Sequence, residues 1–427
     1  MDRYIDILKA SGADAWEVFS TEVKNWEFYY IGHRLDQNRA KNIEHVRLCV
    51  YKLSEDGFMG MASAEVPPTE TDAGIRRTVE DLVYQAGLVK NKPYRLNVPK
   101  PYEPVKAREF DLREESDRFI KAMDSIHETA TEYLNSYELF TSAVKRRLVN
   151  SEGVDVTENY LTSMIDLVVN ARKDDHEIEL YRLYHLGGCD REQLRLDIEE
   201  LMRFGRDRLI AKPTPAIGSY PVVFSTDAAL SIYSYFLANL EVSMVLRRMS
   251  SFELGKPVTV NTDGDKVTLK ALRELPNSPS NFSCDPEGAP IRDAVLIDSG
   301  VPQQYVGGRM FSQYLGLDDT FIVSNWSVSG GSTPAEGLRS GKFLEIVEFS
   351  DFQVDGLTGD IFGEIRLGYF HDGEGNVTPV SGGSISGNMK DNLAHMRMSR
   401  ETRRYASAEI PKVTRLENIT VSGVDAC

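Results

Sequence analysis

The segment from Thr358 to Leu393 is TGDIFGEIRLGYFHDGEGNVTPVSGGSISGNMKDNL. Apolar and polar residues alternate over residues 361–369, which predicts a half-buried strand. Glycine, aspartate and asparagine crowd residues 372–376 and indicate a hairpin turn before a second strand. Asn388 stands before an apolar stripe and is expected to cap a helix. This order of strand, hairpin turn, second strand and capped helix is typical of a β-rich domain.

The sequence around this segment predicts two domains of the α+β class, since 427 residues exceed one ordinary core. We expect an N-terminal α+β domain at residues 1–210 and a C-terminal β-rich domain at residues 218–427. The second domain is either barrel-like or a sandwich. Four prolines make residues 91–108 an extended connector inside the first domain.

The first domain shows a repeated order of elements. A helix, several strands and a helix are predicted before the proline connector, and the same order follows it. The pattern indicates a possible internal duplication, although α and β elements also alternate by coincidence in many folds. The helices are expected at residues 3–10, 70–87, 112–135 and 191–208.

Composition narrows the class of protein. The formal net charge is -16 and no Lys/Arg block occurs, which disfavours direct nucleic-acid binding. No run of 18 apolar residues and no signal peptide is present in the sequence, so we expect a cytoplasmic protein without a membrane partner. The four cysteines are scattered, which argues against a disulfide framework and a thiolate metal cage.

One segment nearly matches a zinc-peptidase motif, His127-Glu128-Thr129-Ala130-Thr131-Glu132. A zinc-peptidase helix places a second ligand one turn after the first histidine, and Thr131 stands there instead. Glu132 lies about 140° around an α-helix from His127, which is too far to share one metal. A charged face of the predicted helix 112–135 explains the segment better.

Other polar clusters are explained by turns. Asp351, Asp355 and Asp360 do not have the spacing of an EF-hand. Residues 372–376 fit a cation loop less well than a polar hairpin turn. Residues 382–387, GGSISG, fail the G-x-S-x-G pattern of a nucleophile elbow.

Five separated segments, in order along the chain, resemble the TldD/PmbA family, also called modulators of DNA gyrase. They are SGADAWEVFSTE (11–22), LVNSEGVDV (148–156), GSYPVVFS (218–225), TGDIFG with the hairpin through SISGNMKDNL (358–393), and RLENITVSG (415–423). The positions that match the family signature are Asn150, Ser151, Glu152, Gly153, Thr358, Gly359, Asp360, Gly387 and Asn388.

The resemblance implies a two-domain protein that works as a dimer. One branch of the family carries HExxxH and is a metallopeptidase that degrades or trims unfolded peptides; the PmbA/TldE-like branch lacks the motif and pairs with the first. An ungapped alignment from PVVF places Ser234, Tyr235 and Asn239 where His, Glu and His stand in the catalytic branch. Residues 186–370 contain no histidine, and Cys427 lies beyond the last strand.

The resemblance therefore predicts a non-catalytic PmbA/TldE-like subunit with no catalytic residue, metal ligand or cofactor of its own. Its expected partners are a TldD-like catalytic subunit, which would hold zinc, or a second copy in a homodimer, together with an unfolded peptide substrate. One alternative is a self-sufficient metallopeptidase that uses His371, Asp372 or His395. Another is a non-enzymatic protein that binds and modulates DNA gyrase.

Overall fold

The computed structural model describes residues 1–106, 111–260 and 262–424 and has two lobes. The elements of the first lobe are α1 (Asp2–Lys9), β1 (Ala15–Ile31), β2 (Arg34–Leu53), β3 (Met59–Val66), α2 (Asp72–Gly87), α3 (Leu112–Met123), β4 (Glu132–Asn150), β5 (Asp155–Lys173), β6 (His176–Leu186) and α4 (Arg191–Leu209). The strands form one antiparallel sheet in the order β3-β2-β1-β4-β5-β6.

This sheet consists of two equivalent units. Each unit runs helix, three strands, helix, and the first strands of the two units, β1 and β4, pair antiparallel with Asn25 opposite Ser142. The two halves of the strand order, β3-β2-β1 and β4-β5-β6, are therefore related by a local two-fold axis between β1 and β4. At the level of topology, the repeat predicted from the sequence is present.

All four helices cover one face of the sheet, because alternate strand residues on that face are apolar. Helices α1 and α2 pack on Val18 and Leu48, whereas α3 and α4 pack on Leu139 and Ile165. Asp190 begins α4 by accepting a hydrogen bond from the backbone N–H of Gln193 at 3.2 Å.

One helix prediction is wrong in this lobe. The helix predicted over 112–135 ends at Met123, because Leu134 and its neighbours pair with β5 as part of β4. Strand β1 is continuous, since Glu22 to Lys24 have partners in both β2 and β4. The described part of the connector, residues 91–106, contains no helix and only a single bridge from Asn91 to Met59.

The second lobe is built mainly of strands. Its elements are β7 (Lys212–Pro213), β8 (Gly218–Phe224), α5 (Ala229–Leu240), α6 (Val242–Leu246), β9 (Thr268–Leu272), β10 (Ala294–Asp298), β11 (Val301–Pro302), α7 (Arg309–Tyr314), β12 (Asn325–Ser329), α8 (Ala335–Leu338), β13 (Lys342–Val354), β14 (Asp360–Asp372), β15 (Val377–Ser381), β16 (Ser384–Asn388), α9 (Met389–Asn392), β17 (Arg397–Met398), β18 (Thr402–Tyr405), β19 (Ala408–Pro411) and β20 (Thr414–Ser422).

Strands β13, β8, β20, β16 and β14 close into a barrel, because β13 pairs with both β8 and β14. A second sheet has the order β11-β10-β9-β12-β19-β18. Helix α5 packs between the two, with Ile232, Tyr233 and Phe236 in one core with barrel and second-sheet residues. The predicted barrel-like domain is therefore confirmed, and α5 is its central helix.

Helices α5 and α6 are separated at Glu241, whose carboxylate accepts a hydrogen bond from the Ser243 N–H at 2.8 Å and begins α6. None of the helices in the described ranges is both long and apolar enough to cross a membrane.

Candidate functional site

Helix α5 carries the three residues aligned with the family's metal motif. Ser234 is exposed, whereas Tyr235 and Asn239 are buried. The Asn239 amide donates to the carbonyl oxygens of Tyr235 at 2.9 Å and Gly356 at 3.0 Å. Its own oxygen accepts from the Ser251 N–H at 3.0 Å. The side chain is fully used in holding α5 to two neighbouring loops.

These residues do not fit a zinc ion. Zinc in proteins is bound by imidazole, thiolate or carboxylate groups, and α5 offers a hydroxyl, a phenol and an amide at the aligned positions. Burial raises the pKa of Tyr235, which keeps its phenol neutral, and its ring packs edge-on against Phe252 at 5.8 Å. Within the described ranges, no group of three His, Cys, Asp or Glu side chains is arranged to hold a metal.

The signature turn before β14 packs directly on this helix. Gly359 has a φ of +80°, and a Cβ there would lie 3.4 Å from Tyr235. The Asn388 amide donates to Thr358 O at 3.1 Å and to Asp360 Oδ1 at 2.8 Å. Asp355 accepts from the Thr358 N–H at 2.6 Å. The carboxylates of Asp355 and Asp360 therefore hold the backbone of this turn in place and connect β14 to α9.

The second signature segment is also a turn. Asn150 Oδ1 accepts from the Glu152 N–H at 3.0 Å, and Ser151 Oγ accepts from the Trp16 N–H at 3.1 Å. Gly153 has a φ of +96°, which favours glycine. Gly387 is required for close packing, since a Cβ would lie 2.7 Å from Ile419.

The N-terminal end of α5 opens into a cleft of about 720 Å³ between the lobes. One wall is β6 over residues 182–186, the second is α4, and the third is the β18–β19 hairpin. Thr226, Asp227 and Leu230 form the end of the cleft nearest α5. The cleft thus connects the helix aligned with the family's metal motif to the first lobe.

Ion pairs across the two lobes line this cleft. Arg403 of β18 contacts Asp197 at 2.8 Å and Glu200 at 2.9 Å on α4. Arg182 of β6 contacts Asp227 at 3.2 Å and also pairs with Glu348. Burial raises the pKa of the Asp197 carboxyl, and the Arg403 charge opposes that effect. The charged groups of the walls therefore largely neutralise one another.

Among the residues that the structure describes, no strand pairs with the outer side of β6, so this strand gives the cleft a free backbone edge. It is the terminal strand of its sheet and pairs with β5 on its other side. Leu183 and Leu196 line the cleft with 38% and 47% of their surfaces exposed. An extended chain could satisfy the unpaired backbone groups of this edge and cover the leucines.

The residues of the self-sufficient alternative are occupied elsewhere. His371 stacks on Phe343 with ring centroids 3.9 Å apart, and burial lowers its pKa. Asp372 accepts from the Asn376 N–H at 3.1 Å, as the predicted hairpin turn requires. His395 bonds to Asp263 with 2.6 Å between Nδ1 and Oδ1.

His127 lies in the loop after α3 and not on a helix, so the predicted charged helix face is wrong. Sequence reasoning also missed the cleft residues Arg182, Asp197 and Arg403. They stand on three elements that the fold brings together, and each is an ordinary charged residue in its own segment.

Comparison with known proteins gives a matching family model, a curated protein of similar sequence and solved structures of similar fold. Residues 217–423 match the family model described as the PmbA/TldA metallopeptidase C-terminal domain. An uncharacterised protein of Methanocaldococcus jannaschii is 22% identical over 415 residues, which cover 87% of this chain and 89% of that protein.

Two solved structures have the same fold along nearly the whole chain. TldE from Thermococcus kodakarensis has a TM-score of 0.79 at 15% identity, with 99% of this chain and 100% of that chain covered. A proposed modulator of a DNA gyrase from Thermotoga maritima has a TM-score of 0.78 at 18% identity, with 99% of each chain covered. At these identities the likeness shows the fold alone.

Proposed function

Because this chain belongs to the TldD/PmbA family, we propose that it is a non-catalytic, TldE-like subunit of a TldD/TldE-type metallopeptidase. The observation that carries the proposal is the chemistry of α5. Asn239 uses its whole amide to hold two loops, and Ser234 and Tyr235 are poor zinc ligands. Catalytic zinc then belongs to a TldD-like partner.

The role we propose for this subunit is to hold an extended, unfolded peptide in the cleft. Backbone hydrogen bonds to the β6 edge give affinity without demanding one sequence. The paired charges of Arg182 and Arg403 need no counter-charge from the peptide, and Leu183 and Leu196 offer apolar contacts. These properties favour apolar, unfolded segments as ligands.

The test combines the purified chain with a TldD-type subunit that carries HExxxH. We expect the mixture to form a complex on a sizing column and to cleave an unfolded peptide, with zinc present only in the partner. Stoichiometric zinc and cleavage by the isolated chain would instead support the self-sufficient peptidase. Capture of gyrase from cytosol without a peptidase subunit would support the gyrase-binding alternative.

A further inference from the structure

A second cavity lies on the face of the first sheet opposite its four helices. It has a volume of about 420 Å³, and its floor is formed by residues of strands β1 to β5. Asp285 and Pro286, in the loop between β9 and β10 of the second lobe, close one side. We name this cavity the sheet pocket. Its lining residues, all within the described ranges, differ from those of the cleft.

Strand register brings two rows of side chains together on the pocket floor. Alternate residues of a strand share one face of a sheet, so neighbouring rows on this face are two residues apart along each strand. Across β4, β1 and β2, the rows are Arg146, Thr21 and His45 and, two residues along, Leu148, Phe19 and Arg47. A hydroxyl is at the centre of one row and a phenyl ring at the centre of the next. The floor therefore offers polar and apolar contacts side by side.

The two arginines of the pocket are positioned by aromatic rings. The guanidinium carbon of Arg47 lies 4.4 Å from the centroid of the Phe19 ring, and that of Arg146 lies 4.9 Å from the centroid of Phe282. Arg146 also donates to the carbonyl oxygen of Cys284 at 3.1 Å. A guanidinium over a ring keeps its N–H groups at the rim of its plane, where a ligand can reach them.

Neither arginine is neutralised by a neighbouring carboxylate. Within the described residues, neither Arg47 nor Arg146 forms an ion pair of 4.0 Å or less, and Arg47 donates no hydrogen bond. The adjacent Arg147, on the opposite face of β4, pairs with Asp155 at 2.7 Å. The two cations of the sheet pocket are therefore available to an anion from solution.

The acids of the pocket are engaged by other groups. Glu158 accepts hydrogen bonds from two backbone N–H groups at 2.8 and 2.9 Å. Asp285 accepts from three backbone N–H groups at 2.9 Å each. Glu65 is exposed and bonds to His45, with 2.5 Å between Oε1 and Nδ1. These contacts hold the carboxylates to the walls and leave the arginines to face the space.

We propose that the sheet pocket binds a small organic carboxylate with an apolar body. The carboxylate accepts hydrogen bonds from Arg47 and Arg146, whose planar forks match its two oxygens. The Thr21 hydroxyl on the floor supplies a further donor. Phe19 and Leu148 contact the apolar body of the ligand. This inference does not depend on the peptidase role.

The acids of the walls favour a single negative charge on the ligand. The carboxyl groups of Glu65, Glu158 and Asp285 line the pocket beside the two arginines. They would repel the second charge of a phosphate group, whereas a carboxylate carries only one. The whole chain has a net charge of -16, so an anion is repelled by most of the surface and needs a local cationic site to bind.

Isothermal titration calorimetry of the full chain with 3-phenylpropionate tests the proposal. We expect one site per chain. The uncharged 3-phenylpropionamide should bind at least about tenfold more weakly, because it lacks the charge that the arginines recognise. Inorganic phosphate should also bind more weakly than the carboxylate. Absence of 3-phenylpropionate binding, equal affinity for the acid and its amide, or tighter binding of phosphate would each overturn the proposal.

Arg47→Gln is the main variant, because Arg47 is exposed and its loss leaves no described carboxylate without an ion pair. It should weaken 3-phenylpropionate binding by about tenfold, and Arg47→Lys should restore only part of the affinity because lysine lacks the planar fork. Arg147→Gln removes the same charge from the opposite face of β4 and is the matched control. Equal losses for Arg47→Gln and Arg147→Gln would overturn the assignment of the site.

Hydrogen exchange of the wild type locates the bound ligand without any substitution. The pocket is walled by both lobes, so its occupant should slow exchange in the loop at residues 283–289 as well as near Thr21. Slower exchange at both places with saturating 3-phenylpropionate would support the proposal. Binding that leaves both places unchanged would overturn it.

Discussion

At the residue scale, Asn239 holds helix α5 to two neighbouring loops through a buried and fully bonded amide. Its four hydrogen-bonding groups meet Tyr235, Gly356 and Ser251 in a buried site. Asn239→Ala leaves the Gly356 carbonyl and the Ser251 N–H without this partner. We expect the free energy of unfolding to fall by about 2–4 kcal/mol, measured by urea denaturation.

Ser234→Ala is the matched control on the same helix. Ser234 is exposed, so its substitution should change the free energy of unfolding by no more than about 0.5 kcal/mol. Equal losses for Asn239→Ala and Ser234→Ala would contradict the structural role assigned to the amide.

Substitution of Arg403 should also lower the stability of the protein, because its ion pairs connect β18 with α4. Arg403→Gln leaves Asp197 and Glu200 in the cleft without their cation. We expect a loss of about 2–3 kcal/mol, because the two carboxylates are mostly shielded from solvent. Thermal unfolding and urea denaturation both measure it.

Arg195→Gln is the control for Arg403, since Arg195 pairs with Glu192 and Glu199 within α4 alone. Ion pairs between residues three or four positions apart on one helix contribute little to stability, so Arg195→Gln should destabilise the protein much less than Arg403→Gln. If Arg195→Gln destabilised the chain as much as Arg403→Gln, the ion pairs between the lobes would contribute no more to stability than pairs within one helix.

At the element scale, strand β6 should determine peptide binding. Leu183→Lys puts a cation at the free edge beside the paired charges of the cleft. We expect the affinity for an unfolded apolar peptide to fall by about tenfold, measured by fluorescence anisotropy. Val295→Lys on β10 is the control, because Val295 is 39% exposed but lies outside the cleft. An equal effect of both variants would argue against β6 as the binding edge.

The loop between β9 and β10 should make stability depend on pH. Burial raises the pKa of Glu287 to about 7, against the opposing hydrogen bond from the Arg309 N–H. A carboxyl with a raised folded-state pKa contributes stability below its unfolded-state pKa and loses it as the pH rises through about 7. The free energy of unfolding should therefore fall between mildly acidic and mildly alkaline pH.

Glu287→Gln should flatten that dependence, as measured by urea denaturation across the same pH range. Asp285 and Glu17 have pKa values raised by burial and act in the same direction, so a smaller slope should persist in the variant. An unchanged slope would show that Glu287 does not titrate in this range.

Elements governed by local chemistry were predictable from the sequence. The strand, turn and cap between Thr358 and Leu393 follow from residue alternation and from side chains that bond their own backbone. The end of α3 was not predictable, because pairing with β5 overrides the helical spacing around Leu134. The cleft was not predictable either, since Arg182 and Arg403 are brought near α4 only by the docking of the two lobes.

At the scale of the whole molecule, the proline connector joins the two lobes closely. Asn97 donates to Glu287 O at 2.9 Å and accepts from Asn150 at 2.8 Å. The Val105 N–H donates to Ser283 Oγ at 2.9 Å. The described part of the connector, residues 91–106, contains no helix or strand and yet bonds to both the sheet and the second lobe.

We expect the connector to resist limited proteolysis in spite of its extended backbone. Asn150→Ala should remove the bond to Asn97 and increase cleavage near residue 97, measured by mass spectrometry of timed digests. Asn42→Ala, on an exposed strand, should leave the digest unchanged. Rapid cleavage of the wild type at residues 91–106 would contradict the proposed stabilisation of the connector by its hydrogen bonds to both lobes.

The filled amide site on α5 also constrains how this sequence can evolve. A histidine at this position would require Asn239→His, and that first step would strip Gly356 and Ser251 of their partner before any ligand set was complete. Folding stability would decline at once, whereas a metal site would need several further changes. Selection for a stable fold therefore keeps an amide at position 239.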